Sequence, residues 1–155
     1  MRDALGGLVN IVIIVVFMVI VSGYLAFNVN YTKAFRVKNK IISAIETHEG
    51  LTEGDKGAVA EISAYEKAIG YNASIPSGYT GPSAAAGERW VAKNNLGFYY
   101  KVVQSNTPTK AGATGTEYYE IITFVTVDIP IIKKIMPYFP FFQVRGATKK
   151  INTYN

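Results

Sequence analysis

The chain begins with an uninterrupted hydrophobic segment. Leu8 to Val29 contains no charged residue, and as a helix at about 1.5 Å per residue it would be roughly 33 Å long. That length is enough to cross a hydrocarbon layer of about 30 Å, whereas a cleaved export signal normally has a shorter apolar core behind a basic start. We therefore expect a transmembrane or filament-core helix over residues 8–29, after a short tail over residues 1–7.

Helical periodicity continues beyond this segment in an amphipathic form. Apolar residues recur at spacings of three, four and seven, with polar and basic residues between them. They are Tyr31, Ala34, Phe35, Ile41, Ile42 and Ile45. The pattern predicts that the same helix runs on to about His48, where Gly50 stops it. Its second half has one apolar face, which needs a domain to cover it.

A second, shorter amphipathic helix is predicted next. Thr52 to Asp55 reads as its N-terminal cap, and Gly70 ends it. Its apolar positions are Val59, Ile62, Tyr65, Ala68 and Ile69. Residues 71–87 are rich in Gly, Ser, Pro and Ala, which is typical of a surface loop.

Three segments with strand-like alternation follow, over residues 96–104, 117–128 and 141–151. Phe98, Tyr100 and Val102 alternate with other residues in the first, and Phe142 and Val144 are expected to point inward in the third. Residues 129–140 contain too many prolines for a central strand, so we expect a short apolar helix or loop there.

This order of elements predicts an α+β fold. The strands would form a small antiparallel meander, and its apolar face would pack on the amphipathic part of the long helix. The globular domain would then occupy residues 30–155. We expect one shared core, made of Ile41, Ile45, Ile121, Val125 and Val144.

Charge adds one feature to this picture. The formal net charge is +5, and a modest basic cluster follows the hydrophobic segment directly, at Lys33, Arg36, Lys38 and Lys40. Such clusters are either a solvated helix face or lie at a membrane surface, and the position of this one favours the membrane surface. Basic residues do not form a stripe interleaved with aromatics, so we expect no nucleic-acid partner.

Residue types that carry catalysis or bind metals are scarce. The chain has no Cys and one His, and we expect that residue, His48, to be a solvated helix end and Asp128 to be a cap. No nucleophile elbow, phosphate loop or metal-binding helix motif appears. We therefore predict no catalytic residue, no metal, no cofactor and no enzyme activity. Asn30 and Asn72 match the glycosylation pattern, which is too short to decide whether either is modified.

Within the hydrophobic segment, six positions are candidates for contacts with a membrane or with other helices: Leu8, Asn10, Val12, Val16, Val19 and Gly23. Asn10 would hydrogen-bond a neighbouring helix or be solvated near an interface. Ser22 and Gly23 form a small pair, which lets helices approach closely or bend.

The overall plan resembles a type IV pilin or pseudopilin, in which a long helix, hydrophobic first and amphipathic after, lies on an antiparallel sheet. Within that group the chain is similar to the TadE-like pseudopilins of tight-adherence secretion systems in Gram-positive bacteria. The similar stretches are the Gly6-Gly7 start, the run from Tyr31 to Glu46, and the ending from Phe124 to Ile151 with DIPIIKKIMPYFPFFQVRGATKKI.

One feature departs from that group. Type IV pilins are cut after a Gly and carry a Glu at the fifth mature position, but a cut after Gly6 or Gly7 would place Ile11 or Val12 there. Glu-based docking therefore does not carry over, and we expect an uncut leader. Asp3 of one subunit could instead pair with Arg2 or the amine of the next subunit, or all three groups could stay solvated.

Two functions of different kinds follow from these expectations. The first is a structural subunit that packs its N-terminal helix with copies of itself or related pilin-like subunits, in a pilus-like filament or secretion pseudopilus. The second is a monomeric, membrane-tethered extracytoplasmic binding or accessory domain. The resemblance implies a cytoplasmic N-terminus before assembly, whereas the basic cluster after the span argues for the opposite orientation.

Overall fold

Two α-helices and a five-stranded antiparallel sheet make up the part of the chain that the computed structural model describes, which is residues 2–71, 74–75, 79, 81–85, 88–125 and 142–154. Side chains are described from residue 6 onward. In chain order the elements are α1 (Arg2–Thr47), α2 (Ala58–Ile69), β1 (Trp90–Lys93), a 3₁₀ turn (Asn94–Leu96), β2 (Phe98–Ser105), β3 (Gly115–Phe124), β4 (Gln143–Ala147) and β5 (Ile151–Thr153).

The sheet has the order β1-β2-β3-β4, and every neighbouring pair is antiparallel. β4 pairs with the second half of β3, whereas β5 pairs with its first residues, from Gly115 to Glu117. A long N-terminal helix on a small antiparallel sheet is the predicted α+β fold, which is thereby confirmed.

Helix α1 is a single helix of 46 residues, which corresponds to roughly 69 Å. It ends at Thr47 with the backbone N–H of Gly50 donating to the carbonyl of Ile45 at 2.9 Å. This bond belongs to a helix end whose closing residue takes the left-handed conformation, and that residue is Glu49, with φ of 52°. The end lies where the sequence predicts it, but glutamate and not Gly50 makes the turn.

The N-cap residue of α2 is Gly57, two residues after the predicted cap at Thr52 to Asp55, although Thr52 still contributes a hydrogen bond to the helix start. The backbone N–H of Ala58 donates to Oγ1 of Thr52 at 3.0 Å, so the Thr52 side chain satisfies one of the free donors at the helix start. Gly70 closes the helix in the left-handed region, with φ of 62°. Of the predicted apolar positions, Ile62 is buried and Ala68 is exposed, because Ala68 lies on the solvent side of the helix.

The main core lies between the two helices and one face of the sheet. Ile41, Ile45, Ile121, Val125 and Val144 are all buried in it, as the sequence predicts. The second half of α1 lies close to β4: a Cβ atom added at Gly146 would come within 2.7 Å of Cδ of Lys38 and 2.8 Å of Cδ1 of Ile42. Glycine at this position therefore permits the close approach of helix and strand.

The strand predictions need three corrections. The sequence pattern missed β1, because four residues are too few to show alternation. The predicted third strand is two strands, since residues 148–150 lie opposite only two residues of β3 and form a bulge. Oγ1 of Thr148 accepts the backbone N–H of Tyr119 at 2.9 Å there. Phe142 contacts the helix, as expected, but its side chain is 47% exposed.

Several predictions fall on residues outside the described part of the chain. They are the end of the second predicted strand at residues 126–128 with the cap at Asp128, the apolar helix or loop over residues 129–140, the start of the third strand at residue 141, and the glycosylation pattern at Asn72.

The second face of the sheet is also covered, which the sequence does not indicate. Tyr99, Ile122 and Phe124 are buried there. The hydroxyl of Tyr99 donates to the carbonyl of Tyr79 at 2.7 Å, and the Tyr79 ring meets the Phe124 ring edge to face, with centroids 5.2 Å apart. Part of the predicted surface loop over residues 71–87 is therefore packed against the sheet.

Candidate functional site

No tertiary contact among the described residues buries the first half of α1. Its large apolar side chains, from Leu8 to Leu25, are between 39% and 65% exposed. By length and composition this is a helix that could cross a membrane, and the most apolar window of the helix has none of its residues buried. The same helix then enters the core of the domain without a break, because it continues to Thr47.

The predicted contact positions lie on this exposed half. Leu8 is 61% exposed, and Val12, Val16 and Val19 are 51%, 52% and 41% exposed. Asn10 is exposed and Gly23 is half-buried. None of these six residues belongs to a described core cluster. The fold therefore relates them to one another only through their positions along α1.

Helical spacing decides which side of α1 these positions occupy. Leu8, Val12, Val16, Val19 and Gly23 follow one another at intervals of three or four, so they share one face. The same intervals lead on through Phe27 to Ala34, Val37 and Ile41, which are buried in the domain core. The candidate contact face is therefore the continuation of the domain-facing side of α1, on the N-terminal part of the helix that extends beyond the domain.

The charged residues of the N-terminal tail can be placed only in part. Arg2 and Asp3 belong to α1 by their backbone, while their side chains lie outside what the structure describes. The pairing between subunits that the sequence suggests for Arg2 and Asp3 therefore stays a prediction.

An aromatic junction joins the exposed half of α1 to the domain. The Phe27 ring contacts the Phe142 ring edge to face, with centroids 5.0 Å apart, and stacks on Tyr31 with centroids 6.2 Å apart. One turn further on, Oγ1 of Thr123 donates to the carbonyl of Ala34 at 3.3 Å. The sequence reading missed this junction, although the interval of seven residues from Phe27 to Ala34 could have indicated it.

The basic cluster is divided by the fold. Lys40 forms an ion pair with Glu61 of α2, and hydrogen bonding to Lys40 and then to His48 lowers the pKa of the Glu61 carboxyl. Lys38 is only 9% exposed and its Nζ lies 4.3 Å from the centre of the Phe35 ring. Two of the four cations, Lys38 and Lys40, therefore interact with side chains of the domain itself.

The remaining two cations are Lys33 and Arg36. Lys33 donates to the carbonyl of Gly70 at 3.4 Å, which is a neutral group, and it forms no ion pair with a described acidic side chain. Arg36 is exposed, and no acidic side chain among the described residues forms an ion pair with it. Both lie within ten residues of the aromatic junction at Phe27.

His48 is not the solvated helix end that the sequence suggests. Its Nε2 lies 3.0 Å from Oε2 of Glu61, so it connects the end of α1 to α2. Across the described residues no three His, Asp or Glu side chains stand close enough to hold a metal ion. Asn30, in one of the two glycosylation patterns, is half-buried within α1.

Comparison with family models, with curated proteins and with solved structures gives no match for this chain. Its function must therefore be inferred from the exposed apolar half of α1 and from the way that half is attached to the domain.

Proposed function

We propose that this chain is a structural, pilin-like subunit that assembles through α1 into a pilus-like filament or secretion pseudopilus. One observation carries the proposal: a single unbroken helix is uncovered and apolar in its first half and buried in a sheet domain in its second half. Residues 8–29 would be the shared helical core, and the domain would form the outer surface.

The physical reason lies in what can cover the first half of α1. Contiguous apolar surface of this extent is unfavourable in water and marks a membrane or protein contact. Before assembly lipid covers it, and in a filament the helices of neighbouring copies cover it instead. Because the helix does not break between the two halves, each domain keeps a fixed direction relative to its own apolar segment.

The N-terminus would be cytoplasmic before assembly and the domain exported. A protease that cannot enter intact cells should then remove the domain. If the domain survives in intact cells and is cleaved after lysis, the orientation is reversed, as the basic cluster after the span would favour.

Imaging of purified surface material separates the filament from the monomeric tether. The filament predicts fibres that contain the intact chain. The tether predicts surface display of the domain without fibres, and fibres built from this chain would exclude it. Absence of fibres at normal expression and display would contradict the filament.

The variant Gly23→Leu tests whether the face below the domain makes the helix contacts. Leucine keeps the segment apolar, so membrane insertion should survive, but its side chain blocks close helix approach. We expect fewer or no fibres at normal subunit levels. Ser22→Leu changes the other member of the small pair, about 100° round the helix, so loss of fibres in Gly23→Leu alone would assign the close contact to the face of Gly23. Normal fibres from Gly23→Leu would remove this face from the interface.

A further inference from the structure

The domain reaches down to the level at which the apolar segment ends. Phe142, the residue just before β4, contacts Phe27, and Phe27 lies within residues 8–29. If those residues fill the hydrocarbon layer, the headgroup layer begins near Val29 and extends about 5–8 Å outward. On that premise the described part of the domain reaches the headgroup layer at Phe142.

The side chains at this level have the chemistry of a membrane interface. Tyr31 and Phe35 are each 44% exposed, and Phe142 is 47% exposed. At roughly 1.5 Å per residue, Tyr31 lies about 3 Å and Phe35 about 9 Å beyond Val29. Tyr31 therefore lies within the headgroup layer, where tyrosine is enriched, and Phe35 lies just beyond it, with its Cα–Cβ bond tilted back toward the layer.

The available charge at the same level is positive. Among the described residues neither Lys33 nor Arg36 has an acidic partner, while Lys38 and Lys40 are engaged within the domain. The sequence of α1 contains no acidic residue from Ala4 to Ile45. The surface is therefore complementary to anionic groups.

The arrangement encloses the helix and is not a stripe along it. Tyr31 and Phe35 lie on the side of β4, Lys33 lies on the side of α2, where it reaches Gly70, and helical spacing turns Arg36 away from the domain. A second copy of the chain would cover one side only, and a symmetric copy would bring Lys33 and Arg36 against their own kind. A headgroup layer surrounds the helix on all sides.

We propose that Tyr31, Lys33, Phe35, Arg36 and Phe142 form a collar that docks the domain on the headgroups of an anionic lipid bilayer. The collar rests on the proposed anchoring of α1 in a membrane and adds a lipid preference to it. The aromatic rings fix the distance of the domain from the bilayer centre, and Lys33 and Arg36 favour anionic over zwitterionic lipid.

Because the chain has no Cys, a single fluorescent label can be placed at Thr32→Cys, an exposed position within the collar. The full chain is reconstituted at low density in vesicles of equal parts phosphatidylcholine and phosphatidylglycerol. A small fraction of one lipid or the other carries a headgroup quencher. Each Lys or Arg near an anionic surface contributes roughly five-fold, so we expect at least about five-fold stronger quenching by phosphatidylglycerol, reduced at high salt.

The double variant Lys33→Gln/Arg36→Gln should bring this ratio close to one. The matched control, Lys110→Gln/Lys150→Gln, removes the same charge from two exposed residues outside the collar and should keep the parent ratio. A parent ratio near one, or an equal loss in both double variants, overturns the collar. So does a label that neither lipid quenches and that becomes better shielded as protein density rises, because a second copy then covers the collar.

A second label at Val16→Cys, with a quencher on the acyl chains at the bilayer centre, separates the two proposals. Quenching at Val16 together with a ratio near one at Thr32 removes the collar and leaves the membrane anchor in place. No quenching at Val16 means that α1 does not cross the bilayer, which contradicts both the anchor and the collar.

Discussion

At the scale of single residues, two glutamates are in places that cost stability. Glu49 closes α1 with a positive φ of 52°, a conformation that glycine adopts without the steric cost of a Cβ atom. Glu66 is 7% exposed, and its Oε1 has no hydrogen-bond partner among the described residues. Each leads to a stability measurement.

Glu49→Gly should stabilise the domain by roughly 0.5–1 kcal/mol, because the left-handed conformation no longer strains a side chain. Urea unfolding of the full chain in mild detergent measures this. Glu49→Ala removes the carboxylate but keeps Cβ, so it should leave the free energy of unfolding nearly unchanged. An equal gain in both variants would show that the charge of Glu49, and not its backbone, is unfavourable.

Burial raises the pKa of Glu66 to about 8, while an unfolded glutamate titrates near 4.3. Between those two values the folded state holds a proton that the unfolded state has lost. The contribution of Glu66 to stability is therefore fully present below about pH 4.3 and is lost as the pH rises through the folded value.

Glu66→Gln should flatten the fall in the free energy of unfolding from about pH 5 to about pH 8, and should gain most over the parent at the upper end. Unfolding measured across that range checks the slope. Glu53→Gln is the control, because Glu53 is largely exposed and its pKa is lowered by Lys93, so its effect is confined to lower pH. Parallel curves for the parent and Glu66→Gln would mean that Glu66 is charged in the folded state.

At the scale of elements, the position of β4 against α1 depends on the absence of a side chain at Gly146. Gly146→Val would bring side-chain atoms against Lys38 and Ile42, and overpacking of this kind costs about 1–3 kcal/mol. The neighbouring Ala147→Val places the same side chain on the other face of the strand, where residue 147 is exposed, and should cost nothing. The free energy of unfolding of both variants tests this. If Gly146→Val is as stable as Ala147→Val, α1 and β4 can move apart to make room for a side chain.

At the scale of the whole molecule, α1 divides into a half that the domain needs and a half that it does not. Burial along the helix becomes complete at Ala34, Val37 and Ile41, which are 0% exposed. The side chains from Leu8 to Leu25 contribute nothing to the core cluster that contains those residues.

A fragment that begins at Asn30 should therefore fold as a soluble domain with cooperative unfolding, although it loses the contact between Phe27 and Phe142. A fragment that begins at Ile42 lacks Ala34, Val37 and Ile41, and should not fold: loss of large buried side chains costs about 2–5 kcal/mol each against a total stability of about 5–15 kcal/mol. Circular dichroism and thermal unfolding distinguish them. An unfolded or aggregated fragment from Asn30 would show that the apolar half belongs to the fold.

The sequence by itself determined the long helix, its change from apolar to amphipathic, the α+β class and the five core residues from Ile41 to Val144. These follow from periodicity, because the side chains that share a helix or strand face are fixed by local geometry. The ends of α1 and α2 were also readable to within a few residues, since end signals such as Thr52 and Gly70 act close to their own positions in the chain.

Only the tertiary structure decided which charged and aromatic side chains are engaged within the domain and which stay exposed on its surface. Lys38 and Lys40 look like Lys33 and Arg36 in the sequence, but Lys40 pairs with Glu61 of α2 and Lys38 lies over the Phe35 ring. The contact between Phe27 and Phe142, the pairing of His48 with Glu61, and the cover that Tyr79 gives to the second sheet face join residues far apart in the chain. Such contacts depend on how elements pack against one another, and periodicity within one element carries no information about its partner.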